Sequence, residues 1–357
     1  MRELYNKILN NINKIDFEGI WNGFSKYDFA LYSSNVVFFE DKTIPWDERF
    51  MGNTAIRYED RYIAIWNVEY DISNDNMDID ILSSNIVHEM FHAYQQENEE
   101  KRFPQDLVTL DYPDDIHNFC LKYEENKILA KALYEDNLAI KKQLIEKFYS
   151  IRMNRQKIIG DMCKCEYLSE TVEGMAEYVG TMALKQLSEK KHLERIHEYS
   201  KYLYDFSPLQ FDIRRISYYS GTIFLIVAHD LGINFKHSLS GQSKTVFEIV
   251  TDGYECIKTD DLKLEKSLIE KAINENIAYK KGLIDKFMQS SDRIATHGDF
   301  YICGYDPMNM IKLDNKILCT HFVMLRNQNT NENIRLMGET LLDMKLNITN
   351  EVICFYR

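Results

Sequence analysis

The chain has few of the residues that interrupt helices and build tight turns. Only 5 of its 357 residues are Pro, and 14 are Gly. Turns depend on these two residues to reach their backbone angles, so an all-β protein needs many of them. Their scarcity disfavours an all-β fold and is typical of a protein dominated by helices.

Long apolar runs are lacking as well. The longest, residues 223–228, is far shorter than the ~20 residues that a membrane-spanning helix needs. Residues 1–15 alternate apolar and polar side chains, and no apolar stretch typical of a secretory signal follows them. We therefore expect a cytoplasmic protein with no membrane partner.

A basic surface is also missing from the sequence. The 56 acidic residues outnumber the 43 Lys and Arg residues, which gives a formal net charge of −13. A protein with this balance repels phosphate backbones unless it carries a local basic face. The densest basic stretches, at 141–142 and 190–191, are interleaved with Glu and indicate ordinary solvated helix surface. We expect no nucleic-acid partner.

The cysteines form no disulfide pattern. The chain has 7 Cys, an odd number, at spacings that match no known framework. Cys163 and Cys165 form a CxC pair that could bind a metal, although no second pair lies near them in the sequence. The alternative, which we favour, is a pair of reduced thiols beside a helix, as in a cytoplasmic protein.

Hydrophobic periodicity divides the chain into three regions and predicts an α+β fold. Residues 1–75 begin with an amphipathic helix and continue into aromatic and β-branched segments that predict a small sheet. Residues 76–292 are mostly helical, and 296–357 form a small C-terminal β region with Asn-rich turns at 327–333 and 347–350. The expected strands are 29–32, 36–39, 54–58, 62–66, 298–305, 316–325 and 351–356.

The helical region contains five predicted segments. One helix is expected to begin at Ser83 or Ser84, as its N-cap, and to end at Glu97. Another segment, 217–230, is apolar on nearly every side, which is typical of a helix buried in a core. The remaining helical segments are expected at about 116–159, 167–188 and 262–289.

The residues His88, Glu89 and His92 form an HExxH motif. On a helix, side chains four residues apart lie one turn apart on the same face, so both imidazoles can reach one tetrahedral metal ion. Glu89 lies beside them and is placed to act as the general base that takes a proton from water. The alternative is two histidines that share a helical face by chance.

A third ligand is expected from the segment that contains Glu173 and Glu177. These acids are four residues apart on a helix that is otherwise apolar, and a buried carboxylate is costly unless it is paired or binds a metal. We predict that Glu173 is the ligand and that Glu177 accepts a hydrogen bond from a ligating imidazole. Gly174 would let this helix pass close to a neighbour. The alternative is that both acids are solvated.

HExxH followed by EGxAxY, here Glu173 to Tyr178, resembles the gluzincin superfamily of zinc metallopeptidases. The likeness is greatest to the aminopeptidase N and glycyl aminopeptidase families. It implies a zincin-like catalytic domain, in which a small N-terminal sheet packs on a mostly helical body, and one Zn²⁺ per chain. In those families the Glu before the Gly is the ligand, which falls on Glu173. Cobalt or manganese suits the same ligands.

The resemblance extends to a Tyr-x-x-Gly that opens an apolar helix, here Tyr218 to Gly221. It implies that the Tyr218 hydroxyl donates to the oxyanion of the transition state. Tyr219 takes this role if the register differs by one residue. The alternative is a Tyr pair that only caps a core helix. His229, on the same helix, is expected to be a core histidine or, less simply, to approach the site.

Two features depart from the family pattern. A helical insertion at 93–165 separates the two metal motifs, and we expect it to form a lid or wall over the cleft. The family strand that fixes a substrate's amino terminus has an acidic residue, which the segment Gly52, Asn53, Thr54 and Ala55 lacks. We expect this segment to pair with an extended substrate as an edge strand, and the choice between aminopeptidase and endopeptidase specificity stays open.

The sequence thus predicts a zinc metallopeptidase that hydrolyses peptide bonds in a peptide or a flexible protein segment. Two alternatives stay open. One is a zinc hydrolase that acts on a non-peptide bond, because the metal chemistry would be shared. The other is an inactive zincin scaffold that binds a partner.

Overall fold

The computed structural model describes residues 1–73, 77–237, 239–259, 262–290, 292–346 and 348–357. The expected boundary between residues 75 and 76, and Asn347 of the expected turn, lie outside the described residues. Within these ranges the protein is a mixed α+β structure with one sheet near each end of the chain and a helical body between them.

The helices are numbered in chain order. They are α1 (Arg2–Ile12), α2 (Phe17–Ile20), α3 (Glu69–Ser73), α4 (Ile79–Glu97), α5 (Asp106–Thr109), α6 (Ile116–Leu133), α7 (Leu138–Ile159), α8 (Cys163–Ser169), α9 (Met175–Leu187), α10 (Glu189–Tyr204), α11 (Ile213–Asp230), α12 (Val246–Val250) and α13 (Lys266–Met288). A π-helical turn, Glu170–Gly174, joins α8 to α9.

The N-terminal sheet confirms the strands expected from the β-branched segments. It contains β1 (Phe29–Tyr32), β2 (Val36–Phe38), β3 (Thr43–Pro45), β4 (Thr54–Tyr58) and β5 (Arg61–Asn67) in the order β3-β2-β1-β5-β4. The pair β4 and β5 is the antiparallel hairpin that the sequence predicts. Since β4 has one neighbour only in this order, it is an edge strand, and α4 packs beside it.

The C-terminal sheet is larger than the predicted one. Its strands are β6 (Ala295–Tyr305), β7 (Met310–Leu313), β8 (Lys316–Cys319), β9 (Phe322–Asn327), β10 (Asn333–Met337), β11 (Thr340–Met344) and β12 (Glu351–Tyr356), in the order β10-β9-β6-β12-β11-β8-β7. All of the pairings are antiparallel. The single strand expected at 316–325 is two strands, because the chain turns at Thr320 and His321.

One large core holds the body together. It combines apolar faces of α1, α4, α6, α7, α9 and α11 with the inner face of the N-terminal sheet. Most of the apolar segment predicted at 217–230, as far as Ala228, is buried in this core within α11. A separate core lies in the C-terminal sheet, whose other contacts include the end of α13.

The start of α4 differs from the prediction. The N-cap is Asp78, whose carboxylate accepts hydrogen bonds from the backbone N–H groups of Asp80 and Ile81. Ser83 and Ser84 are buried inside the helix and donate to backbone carbonyls of the preceding turn. Asp and Ser are both preferred N-cap residues, so the hydrophobic pattern could not decide whether the helix begins at Asp78 or at one of the two serines.

The helix expected at 116–159 is a helical hairpin. It breaks at Tyr134–Asn137 because Asn137 caps a new helix with its side chain. Leu129 of α6 and Phe148 of α7 are fully buried in the main core. The insertion expected at 93–165 therefore contributes to the body, and it begins inside α4, which continues to Glu97.

None of the helices in the described ranges has both the length and the apolar content that crossing a membrane requires.

Candidate metal centre

Helix α4 brings the two histidines of the HExxH motif together. Their spacing of four residues places both imidazoles on one face, and His88 Nε2 lies 3.1 Å from His92 Nε2. His88 is 6 % exposed, and the His92 side chain is 13 % exposed. The two nitrogens therefore face each other in a largely enclosed space.

Glu173 reaches the same space from the π turn. Its Oε2 lies 3.2 Å from His92 Nε2 and 3.8 Å from His88 Nε2. The three residues form the one group in the described ranges whose ligand atoms could together hold a metal ion, all within 4.8 Å of one another. π-helical turns are rare and often occur at functional sites, where they shift one residue out of helical register. Here the shifted turn carries the third ligand.

Hydrogen bonds fix the tautomer of each imidazole. His88 Nδ1 lies 2.8 Å from Glu177 Oε2, and a carboxylate only accepts, so Nδ1 carries the proton. His92 Nδ1 lies 2.7 Å from Gln95 Oε1. Gln95 Nε2 donates to Val172 O at 2.9 Å, so its oxygen must face His92. In the neutral imidazoles, both Nε2 atoms therefore present lone pairs.

One carboxylate oxygen of Glu173 binds Arg214, and the other faces the two imidazoles. Arg214 donates to Glu173 Oε1 and also to Asp106, which fixes the carboxylate from behind. Glu173 Oε2 is buried and has no hydrogen-bond partner. With both imidazoles neutral, three lone pairs therefore converge, an arrangement that a bound cation satisfies. Two imidazoles and a carboxylate are the ligand set of catalytic zinc sites with one open position.

The electrostatic field at these atoms also favours a cation. Burial alone lowers the pKa of His88, but the nearby carboxylates of Glu173, Glu177 and Glu89 outweigh burial and raise it to about 10. Burial opposes ionisation of Glu173 too, yet His92 and Arg214 hold its pKa well below the usual range. The charges around these atoms therefore favour a positive charge at the centre.

Glu89 lies beside the candidate ligands, and within the described ranges its carboxylate accepts no hydrogen bond. It is 7 % exposed. Burial raises the pKa of its carboxyl, the two imidazoles partly offset this, and the nearby charges of Glu173 and Glu177 raise it further. A raised pKa in a carboxylate that is not engaged elsewhere suits a group that accepts and then returns a proton.

Tyr218, rather than Tyr219, faces the metal ligands. Its ring stacks on His88 with the centroids 5.7 Å apart and the planes at 7°. Burial, and then the charge of Glu173, raise the pKa of its hydroxyl well above the usual range, so it remains a proton donor. Tyr219 packs against Tyr199 and Tyr202.

Glutamate 177 links the centre to α10. Besides His88, it accepts a hydrogen bond from the Tyr199 hydroxyl, and Arg195 Nη1 lies 3.8 Å away. These partners hold the pKa of Glu177 below its usual value against the effect of burial. Glu177 is thus placed to orient His88, as the sequence predicts for it.

Two close helix contacts explain glycines at the site. A Cβ added at Gly174 would lie 2.8 Å from Gly221 Cα, so the π turn and α11 touch through their backbones. A Cβ at Gly180 would lie 2.8 Å from Ser84 O and 3.2 Å from His88 Cβ. The expected role of Gly174 is confirmed, since it lets the π turn that carries Glu173 lie against α11, and the contact at Gly180 brings α9, which carries Glu177, close to α4.

The segment expected to bind substrate borders the metal helix. Thr54 and Ala55 begin the edge strand β4, and the Ala55 carbonyl accepts a hydrogen bond from Gln96 of α4 at 3.3 Å. Gly52 has a φ of +72°, and its carbonyl accepts from the Tyr32 hydroxyl. Asn53 caps the neighbouring strand by accepting from the backbone N–H of Asn67.

A cleft of about 460 Å³ lies beside Asp106 and Arg214, and its lining residues do not include His88, Glu89, His92, Glu173 or Tyr218. It is lined by α5, by the start of α11 and by the 307–312 segment of the C-terminal sheet. Asp106 and Arg214 belong both to its wall and to the support of Glu173. Several of its charges are paired with each other or with neighbours: Arg214 with Asp106, Arg215 with Asp212 and Lys312 with Asp111.

Gln95 and Arg214 are absent from the residues that the sequence predicts. The signal for Gln95 is its position three residues after His92, on the same helical face. Arg214 lies four residues before Tyr218, also on one face, but nothing in the sequence pairs it with Glu173. That contact depends on how α11 crosses the π turn.

Two other candidates lie apart from the centre. Cys163 and Cys165 are buried free thiols in α8, and burial raises the pKa of both. His229 lies at the exposed end of α11, so both expectations for it are wrong. The last turn of α11 leaves the core, which a hydrophobic pattern alone does not reveal.

We compared the chain with protein-family models, with curated proteins and with solved structures. No family model matches it. No curated protein matches it, and no solved structure matches it.

Proposed function

We propose that this chain is a zinc-dependent hydrolase of peptide bonds with a zincin-like catalytic domain of the gluzincin type. One observation carries the proposal: the lone pairs of His88 Nε2, His92 Nε2 and Glu173 Oε2 converge in an enclosed site beside a free carboxylate, Glu89. A structural zinc site would be closed by four protein ligands. Three ligands beside a carboxylate base are typical of catalysis.

When bound, zinc would supply Lewis acidity and lower the pKa of a coordinated water towards neutrality. His88, His92 and Glu173 would hold it. Glu89 takes a proton from the attacking water and returns it to the leaving nitrogen. Tyr218, which stays protonated, donates to the oxyanion that develops on the carbonyl oxygen.

The surroundings of the centre suit an extended peptide chain. Strand β4 offers a sheet edge next to α4, and a peptide can pair with such an edge through its backbone. On another side, the cleft beside Arg214 has room for side chains. We propose peptides or flexible protein segments as substrates, and the cytoplasm, whose reducing conditions suit the seven free cysteines, as the location.

Cleavage profiling tests this function. Zinc-loaded protein and its Glu89→Gln variant are incubated with a mixed library of unstructured peptides, and the products are identified by mass spectrometry. We expect products from the wild type and none from the variant, because the amide cannot take the proton. Glu99→Gln, an exposed residue just beyond α4, is the matched control and should cleave like the wild type.

An intact library with zinc-loaded wild-type protein would contradict the peptidase proposal. If zinc were nevertheless bound by His88, His92 and Glu173, a zinc hydrolase of a non-peptide bond would then be the better hypothesis. Equal cleavage by the wild type and Glu89→Gln would instead remove Glu89 from the mechanism.

A further inference from the structure

Six buried charged side chains connect the helical hairpin of α6 and α7 to the turn that carries Glu173. Each is no more than 1 % exposed. Three are cations and three are carboxylates, so their formal charges balance. We call them the buried charge cluster; they are Lys122, Glu125, Arg152, Arg155, Glu166 and Glu170.

Glu170 is the member of the cluster that belongs to the π turn and contacts α11, the helix that carries Tyr218. It is the first residue of the π turn, three residues before Glu173. Arg152 of α7 donates to both of its oxygens, at 2.6 Å and 3.0 Å. Ser220 of α11 also donates to Glu170 Oε1, at 2.6 Å. Glu170 thus joins three elements: the hairpin, the π turn and the helix that carries Tyr218.

The backbone geometry places Glu170 at the crossing of the π turn and α11. A Cβ added at Gly221 would lie 3.1 Å from the Glu170 carbonyl oxygen and 2.8 Å from Gly174 Cα. Ser220, which donates to Glu170, is adjacent to Gly221, which makes the close backbone contact. Both contacts therefore hold the π turn against the same part of α11. A shift of this crossing would move Glu173 relative to both imidazoles and relative to Arg214.

A cluster of this kind is not explained by stability alone. Taking charges out of water costs free energy that the ion pairs only partly recover, and apolar side chains of similar volume often stabilise a fold as well or better. What directional hydrogen bonds add is a defined relative position of the elements that they join. At this crossing, position matters because ligand atoms must meet a metal within a few tenths of an ångström.

We infer that Glu170 is a positioning residue for the metal ligand Glu173, anchored by Arg152 from the hairpin and by Ser220 from α11. The hairpin of α6 and α7 then holds the π turn in position beside the metal centre. This role replaces the lid or wall that the sequence predicts. This inference rests on the metal centre of the proposed function. It does not depend on which bond the enzyme hydrolyses.

Zinc affinity tests the inference without any substrate. The metal-free full-length protein is titrated with zinc against a chromophoric chelator, and with Co²⁺ to record the absorption bands that report ligand geometry. For Ser220→Ala, which removes one hydroxyl, and for Glu170→Gln, we expect the Kd for zinc to rise about 10- to 100-fold, the usual effect of losing a group that supports a ligand. The cobalt bands should also change.

Lys122→Met is the matched control. Lys122 belongs to the same cluster and is equally buried, but its ion pair is with Glu166 of α8 and does not touch the π turn. It should reduce the melting temperature, as Glu170→Gln does, while the zinc Kd and the cobalt spectrum stay at wild-type values. A purely structural cluster would instead give the same zinc Kd in all folded variants.

The outcomes separate the two proposals. Wild-type affinity in a folded Ser220→Ala variant, with Glu170→Gln either unchanged or unfolded, overturns the positioning role and leaves the metal centre intact. Failure of the wild-type protein itself to bind zinc overturns the metal centre and this inference together. Loss of affinity in the variants combined with an uncleaved peptide library supports the inference and removes only the peptidase activity.

Discussion

At the scale of single residues, Gln95 decides which nitrogen of His92 can bind a metal. Its amide is held in one orientation because Nε2 donates to Val172 O, so the oxygen must accept from His92 Nδ1. Gln95 is fully buried, and water cannot replace it. One side chain therefore sets a tautomer on α4 and ties that helix to the π turn.

Replacing Gln95 tests this role. In Gln95→Leu, nothing holds the proton on His92 Nδ1, and we expect the Kd for zinc to rise about 10- to 100-fold. The control is Gln96→Leu on the same helix, which loses a hydrogen bond to Ala55 O instead of one to a histidine. Zinc titration of the two metal-free variants is the measurement, and equal affinities would rule out the tautomer argument.

The sequence predicts the site best where the chemistry is local. His88, Glu89 and His92 follow from their spacing on one helix, and the structure brings Glu173 and Glu177 to the same place. Arg214 could not be predicted, because its contact with Glu173 joins elements that are distant in sequence. Its role follows only from the crossing of α11 and the π turn.

At the scale of secondary-structure elements, that crossing depends on the absence of side chains. Gly174 and Gly221 lie in direct backbone contact, and the atoms that a Cβ at Gly221 would meet are all backbone atoms. Backbone cannot rotate away as a flexible side chain can. The two elements must therefore separate if either position gains a methyl group.

We predict that Gly221→Ala destabilises the metal-free protein by about 1–3 kcal/mol, the usual cost of overpacking a tight core. Gly282→Ala in α13 is the matched control, because no atom lies within 4 Å of its added Cβ. In an open helical position, Ala is more favourable than Gly by roughly 0.5–1 kcal/mol. Urea unfolding monitored by circular dichroism should shift in opposite directions for the two variants; a shift in the same direction would refute the packing argument.

Element boundaries were harder to predict than element types. Hydrophobic periodicity indicates helix throughout 116–159, but it carries no information on the break before Asn137, which depends on a side-chain cap. The π turn has the same limitation, since its apolar pattern over a few residues resembles that of an α-helix. The strands β3, β7, β10 and β11 were missed because short strands in a sheet are determined by their neighbours.

At the scale of the whole molecule, the cleft lies between the C-terminal sheet and the residues Asp106 and Arg214, of which Arg214 contacts Glu173. Met308 lines the cleft near Arg215, whose guanidinium donates to the Met308 carbonyl oxygen, so its side chain can be changed without losing that bond. The cleft walls come from parts of the chain that the sequence analysis treated as separate regions. Their meeting could not be predicted, because no motif links them.

A larger side chain in the cleft should change which peptides are cleaved, while the reaction at the metal centre stays the same. For Met308→Trp we expect kcat/KM to fall about tenfold or more for peptides with a large side chain facing the cleft, and less for those with a small one. Met288→Trp is the control, since Met288 is exposed at the end of α13 and does not line the cleft. An unchanged cleavage profile in Met308→Trp would place substrate side chains elsewhere.

The two walls of the cleft are separated by a long stretch of chain. The candidate metal ligands and Tyr218 all lie within the first 218 residues of the chain. The lining of the cleft also includes residues 307–312 and 320. Contacts between Arg335 and both Glu48 and Met51 join the C-terminal sheet to the loop before β4. During synthesis on the ribosome, the residues of the candidate metal centre therefore emerge roughly a hundred residues before the last residues that line the cleft.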